Sequence, residues 1–111
     1  MPPPDLEAVA QEVFTALADP SRRAILAALA ADGPATATDL ASALPITRQA
    51  IAKHLGLLAD AGLVVAEPGP GRRVRFRVDP APIGVAQQYL AVLARDWDRR
   101  LADLGAALGD A

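Results

Sequence analysis

The apolar residues of this chain keep a helical period up to Gly62, change to a period of two, and then return to a helical period. That double change limits the fold more than any other feature. From Arg72 to Val78 the alternation is strict, with Val74, Phe76 and Val78 on one side and Arg73, Arg75 and Arg77 on the other. Successive side chains of a strand point to opposite faces, so this segment reads as a half-buried strand. Leu63, Val64 and Val65 form a short β-prone run before it, and Glu67-Pro68-Gly69-Pro70-Gly71 between them is a turn by composition. One β-hairpin is therefore predicted inside an otherwise helical chain.

Four helices are predicted before the hairpin. Leu6, Val9, Ala10, Val13, Phe14 and Leu17 recur at spacings of 3 and 4, as on one face of an amphipathic helix. Asp19-Pro20 ends it and starts the next, because the residue before Pro leaves helical geometry while Asp caps and Pro suits a first turn. The second helix presents Ile25, Leu26 and Leu29 and stops at Asp32-Gly33-Pro34. Thr36 followed by Asp39 resembles a capping box and opens a short helix with Leu40, Ala41 and Leu44 inward, ended by Pro45. Thr47 caps the fourth helix, whose inward face is Ile51, Leu55 and Leu58 and whose stop is Gly62. After the hairpin, Asp79-Pro80 starts a last helix carrying Ile83, Ala86, Leu90, Leu93, Trp97, Leu101, Leu104 and Leu108 on one stripe. A helix of roughly 28 residues is about 40 Å long. So small a body does not cover such a stripe, and a second copy of the chain is its natural partner, with the first helix as neighbour.

At 111 residues the chain is expected to be one domain, 1–111. Its parts are a first helix at about 5–18, a second at about 20–31, a helix-turn-helix at about 36–61, a wing at about 63–78 and a C-terminal dimerisation helix at about 80–108. The expected fold class is mainly α with a small β-hairpin wing. It is a winged helix-turn-helix of five helices that dimerises through the first and last. Small Ala41 in the first helix of the pair lets the two helices cross closely, and Ile51 fills the crossing. Dimer contacts are expected from Leu6, Val9, Val13, Leu90, Leu93, Trp97, Leu101 and Leu104.

Charge is distributed unevenly. The formal net charge is −2, yet residues 20–78 carry eight Lys and Arg against four acids, between two acidic ends. A basic middle suits a polyanion; the acidic whole argues weakly against one. There is no Cys and one His, which excludes disulfides, thiolate metal sites and thiol redox sensing. An enzyme is not expected, since no Gly-rich phosphate loop, paired carboxylates or nucleophile–base set is present. No apolar run approaches a membrane span, and the Met-Pro-Pro-Pro-Asp start has no signal character, so a cytoplasmic location is expected. The four aromatic residues, Phe14, Phe76, Tyr89 and Trp97, fall on apolar stripes rather than on a stacking surface for single strands.

The segment from Phe14 to Leu26, with Ala18-Asp19-Pro20-Ser21-Arg22-Arg23 at its centre, resembles the opening of the arsenic-repressor (ArsR-type) family of bacterial transcription regulators. So do Ile46-Thr47-Arg48-Gln49-Ala50-Ile51-Ala52-Lys53-His54-Leu55, the Leu58–Val64 stretch, the Gly71–Phe76 wing and the Trp97…Leu104 tail. The resemblance spans roughly residues 6–104. It implies a homodimeric repressor on double-stranded DNA, at an imperfect palindrome near its own or a neighbouring operon.

The residues of the fourth helix fit that implication on their own chemistry. With its apolar stripe inward, Arg48, Gln49, Ala52 and Lys53 face out. Arg pairs bidentately with guanine, Gln with adenine, and a small Ala can touch a thymine methyl. Relatives often have Ser at the position of Ala52. Thr47 at the helix start suits a phosphate. Taken alone, these residues read better as a solvated face with a capping Thr; the surrounding motifs favour DNA contact. Arg72, Arg73 and Arg75 on the wing suit phosphates or the adjacent minor groove, with Arg77 nearer the body. His54 reads as a phosphate contact or a metal ligand, or, in preference, as a packed or hydrogen-bonded structural His, since a lone His is a poor metal site. One of Arg22 and Arg23 suits the DNA backbone or an internal salt bridge. Trp97 and Tyr89 suit a ligand pocket or plain packing.

Relatives that sense metals use paired Cys beside the first helix of the pair, or Asp, His and Glu on the last helix. The stretch Ala35–Leu40 has no Cys, and the last helix has Asp96, Asp98, Asp103 and Asp110 but no His. No metal and no cofactor is expected, since zinc and softer metals want imidazole or thiolate. An effector, if there is one, is then a small molecule or a protein. The competing class is a winged-helix protein-interaction module without specific DNA binding.

Overall fold

A computed structural model of the chain describes residues 5–109. The Pro2–Pro4 tract and Asp110 lie outside the described residues. The elements are α1 (Leu6–Leu17), α2 (Pro20–Asp32), β1 (Ala35–Thr36), α3 (Ala37–Ala43), α4 (Arg48–Asp60), β2 (Val64–Pro68), β3 (Val74–Val78) and α5 (Ala81–Gly109). Five helices and an antiparallel hairpin match the expected fold class. Among the described residues no helix is long and apolar enough to cross a membrane.

Each helix starts where a short polar side chain satisfies the first free N–H groups. The Asp19 carboxylate accepts from the backbone N–H of Ser21 at 2.7 Å and of Arg22 at 3.2 Å. Thr36 and Asp39 form a reciprocal capping box, with both bonds at 3.0 Å. Thr47 Oγ1 accepts from Ala50 N–H at 3.1 Å. The Asp19 carboxyl is held below the usual carboxylate range, first by the Arg22 backbone N–H, against its own partial desolvation. The Ser21 N–H and the charges of Arg22 and His54 push the same way. Asp39 is lowered by the Thr36 N–H and hydroxyl, again against desolvation, with help from the charge of Arg73.

A carboxyl with a lowered folded-state pKa stabilises the fold above its unfolded value of about 4, and the benefit vanishes as pH falls through the folded value. Acid unfolding followed by circular dichroism is therefore expected below about pH 4. It should be shallower in an Asp19→Asn, Asp39→Asn variant, because Asn still caps a helix but does not titrate.

The core is a single cluster under the helix pair. Ile25, Leu26 and Leu29 of α2, Leu40 of α3 and Ile51, Leu55 and Leu58 of α4 are all buried, with Leu63 and Val64 closing it below the hairpin. From α1 the buried residues are Ala10, Val13 and Ala16. Val13, expected at the dimer interface, is 1% exposed and belongs to the core. The reason is that α1 packs against both α2 and α5, and Val13 lies in the core cluster with Ile25 of α2 and Ala86 of α5. Leu6 and Phe14, on the margins of the same stripe, stay partly open, and Phe14 meets Tyr89 of α5 edge to face at 6.1 Å.

The sheet has three strands in the order β1-β3-β2. The third strand is unannounced by sequence pattern: Ala35 and Thr36 pair antiparallel with Phe76 and Arg75 of β3. It ties the start of α3 to the wing. The wing's alternation also breaks at its tip, where Val74 is 49% exposed although Phe76 and Val78 pack on the core. Val74 pairs with Pro68 at the turn end of the hairpin, and it is not among the residues packed against the core.

Candidate nucleic-acid interface

α3 and α4 meet across Pro45-Ile46-Thr47, with α3 ending in an extended Leu44 because Pro45 follows. Arg48, Gln49, Ala52 and Lys53 are exposed on the side of α4 opposite Ile51, Leu55 and Leu58. Gly56 extends this face by one turn, and a Cβ there would meet nothing within 4 Å. The face is thus long and shallow at its far end. Gly56 has no side chain to suggest a role from sequence; its spacing of 3 and 4 from Lys53 and Ala52 is the signal that places it there. At the near end Thr47 is exposed and spends its oxygen on Ala50, which leaves the Arg48 and Gln49 N–H groups without an intrahelical partner. No acidic residue occupies the first turn of α4. A helix N-terminus with free N–H groups, an Arg and no acid favours an anion.

His54 lies between the two faces and is partly buried. Its Nδ1 is enclosed without a hydrogen-bond partner, and its charge reaches Asp19 at the α1–α2 junction. The ring therefore faces the body as much as it faces outward.

The wing arginines are not equivalent. Arg72 and Arg73 are exposed next to the turn, and Arg73 acts electrostatically on Asp39 at the start of α3. Arg75 folds back along the wing. A Cβ on Gly69 would lie 3.0 Å from its Cγ, and its Nε is buried without a partner. Gly69 is therefore the residue that lets Arg75 cross the turn so closely. Arg77 is paired with Glu67 at 3.3 Å and serves the hairpin.

Arg22 and Arg23 do something else. Arg22 Nε donates to Ala16 O at 2.8 Å and its Nη2 to Thr15 O at 3.2 Å, while Arg23 Nη1 donates to Leu17 O at 2.6 Å. Both cap the end of α1, where free carbonyls and the negative end of the helix dipole attract cations. Arg22 also lies 4.0 Å from Asp19, a weak form of the internal pair.

On α5 only Ala86 is buried, and every residue from Leu90 to Gly109 is exposed. Leu90, Leu93, Trp97, Leu101 and Leu104 form an open stripe along it, and Arg100 covers one face of the Trp97 ring at 5.9 Å. The molecule measures 71 × 38 × 20 Å, an elongated shape to which the exposed far part of α5 contributes.

A family model described as a helix-turn-helix domain matches residues 17–66. The HTH-type transcriptional regulator Rv2034 of Mycobacterium tuberculosis is 43% identical over 86 residues, which covers 78% of this chain and 72% of that protein. Among solved structures, an ArsR-like transcriptional regulator from Rhodococcus sp. RHA1 is similar with a TM-score of 0.82 at 39% identity, over 90% of this chain and 92% of that one. The cadmium metal-sensor CmtR from Mycobacterium tuberculosis is similar with a TM-score of 0.56 at 41% identity, over 65% of this chain and 73% of that one. Fold, helix pair and relatives agree: the chain belongs to the ArsR-type family of helix-turn-helix regulators, DNA-binding proteins of transcription and not a family of enzymes.

Proposed function

We propose that the chain is one domain that works in the cytoplasm as a homodimeric repressor of its own or a neighbouring operon, on an imperfect palindrome. α4 enters the major groove, where Arg48, Gln49, Ala52 and Lys53 meet base edges and Thr47 meets a phosphate. His54 sits at the edge of that contact. Arg72 and Arg73, with the tip of Arg75, reach the backbone or the minor groove beside it. The observation that carries the reading is the outer face of α4. It is exposed, basic and free of acids in its first turn, and the rest of the helix is locked into the core by Ile51, Leu55 and Leu58. Leu6, Val9, Leu90, Leu93, Trp97, Leu101 and Leu104 supply the dimer contacts.

Cadmium sensing does not carry over from CmtR. A soft cation wants thiolates, and this chain has no Cys. An effector would be an organic molecule or a protein. A second reading, a winged-helix module for protein contacts, is favoured only by the acidic pI of about 5.2.

Fluorescence anisotropy on duplex from the chain's own upstream region, against scrambled duplex and across a salt series, separates the two. Preference for the upstream duplex with two protomers per site supports the repressor. Weak, unselective binding overturns it. In the same assay Arg72→Ala with Arg73→Ala is expected to weaken both duplexes alike. It should flatten the slope of log affinity against log salt by about 2 per protomer, because each lost phosphate contact removes about 0.9.

A further inference from the structure

We propose that a cavity between α1 and the end of α4 is an effector site for a small organic cation with an apolar body, and that filling it weakens operator binding. The cavity has a volume of about 460 Å³. Sites for small organic ligands span roughly 300–1,000 Å³. Ala8, Glu12 and Thr15 line it from α1, and Leu57 and Asp60 from the last turns of α4. Leu57 is 43% exposed, while its neighbours Leu55 and Leu58 are buried, so it offers an apolar wall that the fold does not use.

Charge selects the ligand. Arg22 lies at the cavity's edge, but its side chain is only 15% exposed and its guanidinium is committed to the carbonyls of Thr15 and Ala16 and to Asp19. It has little to offer an anion. The ion pairs among the described residues are Arg22–Asp19, Arg77–Glu67 and Arg99–Asp96, which leave Glu12 and Asp60 unpaired. Two carboxylates against the one guanidinium of Arg22 leave the lining net negative, which suits an ammonium or amidinium, and Leu57 and Ala8 suit an aliphatic or aromatic body. The two carboxylates stand on different elements, so a ligand between them ties α1 to α4. Since α1 packs along α5, that tie fixes α4 relative to the helix of the proposed dimer. Half-site spacing depends on that relation, and a ligand that holds α4 in its unbound position opposes its adjustment to the operator. The coupling rests on the DNA-binding reading above; the binding of the cation does not.

The test uses the full chain and three probes of similar size: 2-phenylethylammonium, 3-phenylpropionate and neutral 3-phenylpropan-1-ol. In a ¹⁵N-resolved NMR titration the cation is expected to shift the amides of Ala8, Thr15, Leu57 and Asp60 saturably, and the anion is not. An exposed ion pair is worth up to about fivefold, so Glu12→Gln with Asp60→Asn should weaken the cation by about tenfold. Both positions are exposed and both changes are isosteric, and an unchanged melting temperature confirms that the variant is folded. Leu57→Ala should weaken the cation and the neutral probe alike. The cation should also lower operator affinity in the wild type and not in the double variant. Equal response to cation and anion, shifts centred elsewhere, or no effect of the double variant overturns the site. Saturable cation binding with unchanged operator affinity overturns the effector role. If the protein shows no DNA preference yet the cation still saturates the cavity, the site stands and the repressor reading is what fails.

Discussion

A chain carrying Leu93→Asp and Leu101→Asp is expected to sediment as a monomer and to bind a two-half-site operator about 10²–10⁴-fold more weakly, the gain that tethering two modules supplies. The open stripe on α5 is the reason. Leu90, Leu93, Trp97, Leu101 and Leu104 are each roughly half exposed. Covering what remains of each contributes about 1 kcal/mol, so two protomers gain about 10 kcal/mol in all. Association itself costs about 4–15 kcal/mol, so the margin is small and the loss of four leucines removes it. The four introduced carboxylates would add like charge to one apolar contact surface. The body should keep its melting transition, since neither leucine touches the core cluster. The far half of α5 should lose helix content, because an isolated helix draws little stability from propensity alone. Analytical ultracentrifugation with anisotropy on the same sample checks this. A variant that stays dimeric, or a monomer with full operator affinity, contradicts it.

What the sequence made legible divides along physical lines. Local interactions were readable. Asp19, Thr36 and Thr47 cap helices because their partners lie two or three residues away, and the stripe of Ile51, Leu55 and Leu58 follows from the helical period alone. The exposed face of α4 follows from the stripe by subtraction. Features that depend on distant neighbours were not readable. β1 is two residues long, too short to alternate, and exists only because β3, about forty positions later, supplies its hydrogen bonds. Val13 sits on a correctly placed stripe, but the period does not say which of two neighbouring layers α1 turns it toward. The fates of Arg22 and Arg23 depend on where α1 ends relative to α2, and that of Arg75 on Gly69 passing beneath it. The cavity beside Leu57 belongs to the same class, since its two walls are more than forty residues apart in the chain.

Arg48→Ala with Gln49→Ala is expected to erase the preference for operator over scrambled duplex while leaving the fold intact. Both side chains are exposed and make no hydrogen bond or ion pair among the described residues, so truncation leaves no orphaned partner. The Thr47 cap remains, so α4 still begins in the same place. A good bidentate contact to a base contributes about 1–3 kcal/mol of discrimination. Two such contacts per half-site, repeated in a dimer, make the loss of preference at least about 10²-fold. The pattern of the loss matters more than its size. If Arg48 and Gln49 read bases, operator affinity falls toward that of scrambled duplex, and scrambled affinity falls only by the share of one lost charge. If Arg48 instead holds a phosphate, both duplexes weaken together and the salt slope drops by about 1 per protomer, as for the wing variant. That second result would move base reading to Ala52 and Lys53 one turn on, where the absence of a side chain at Gly56 already lets the helix lie closer to the groove.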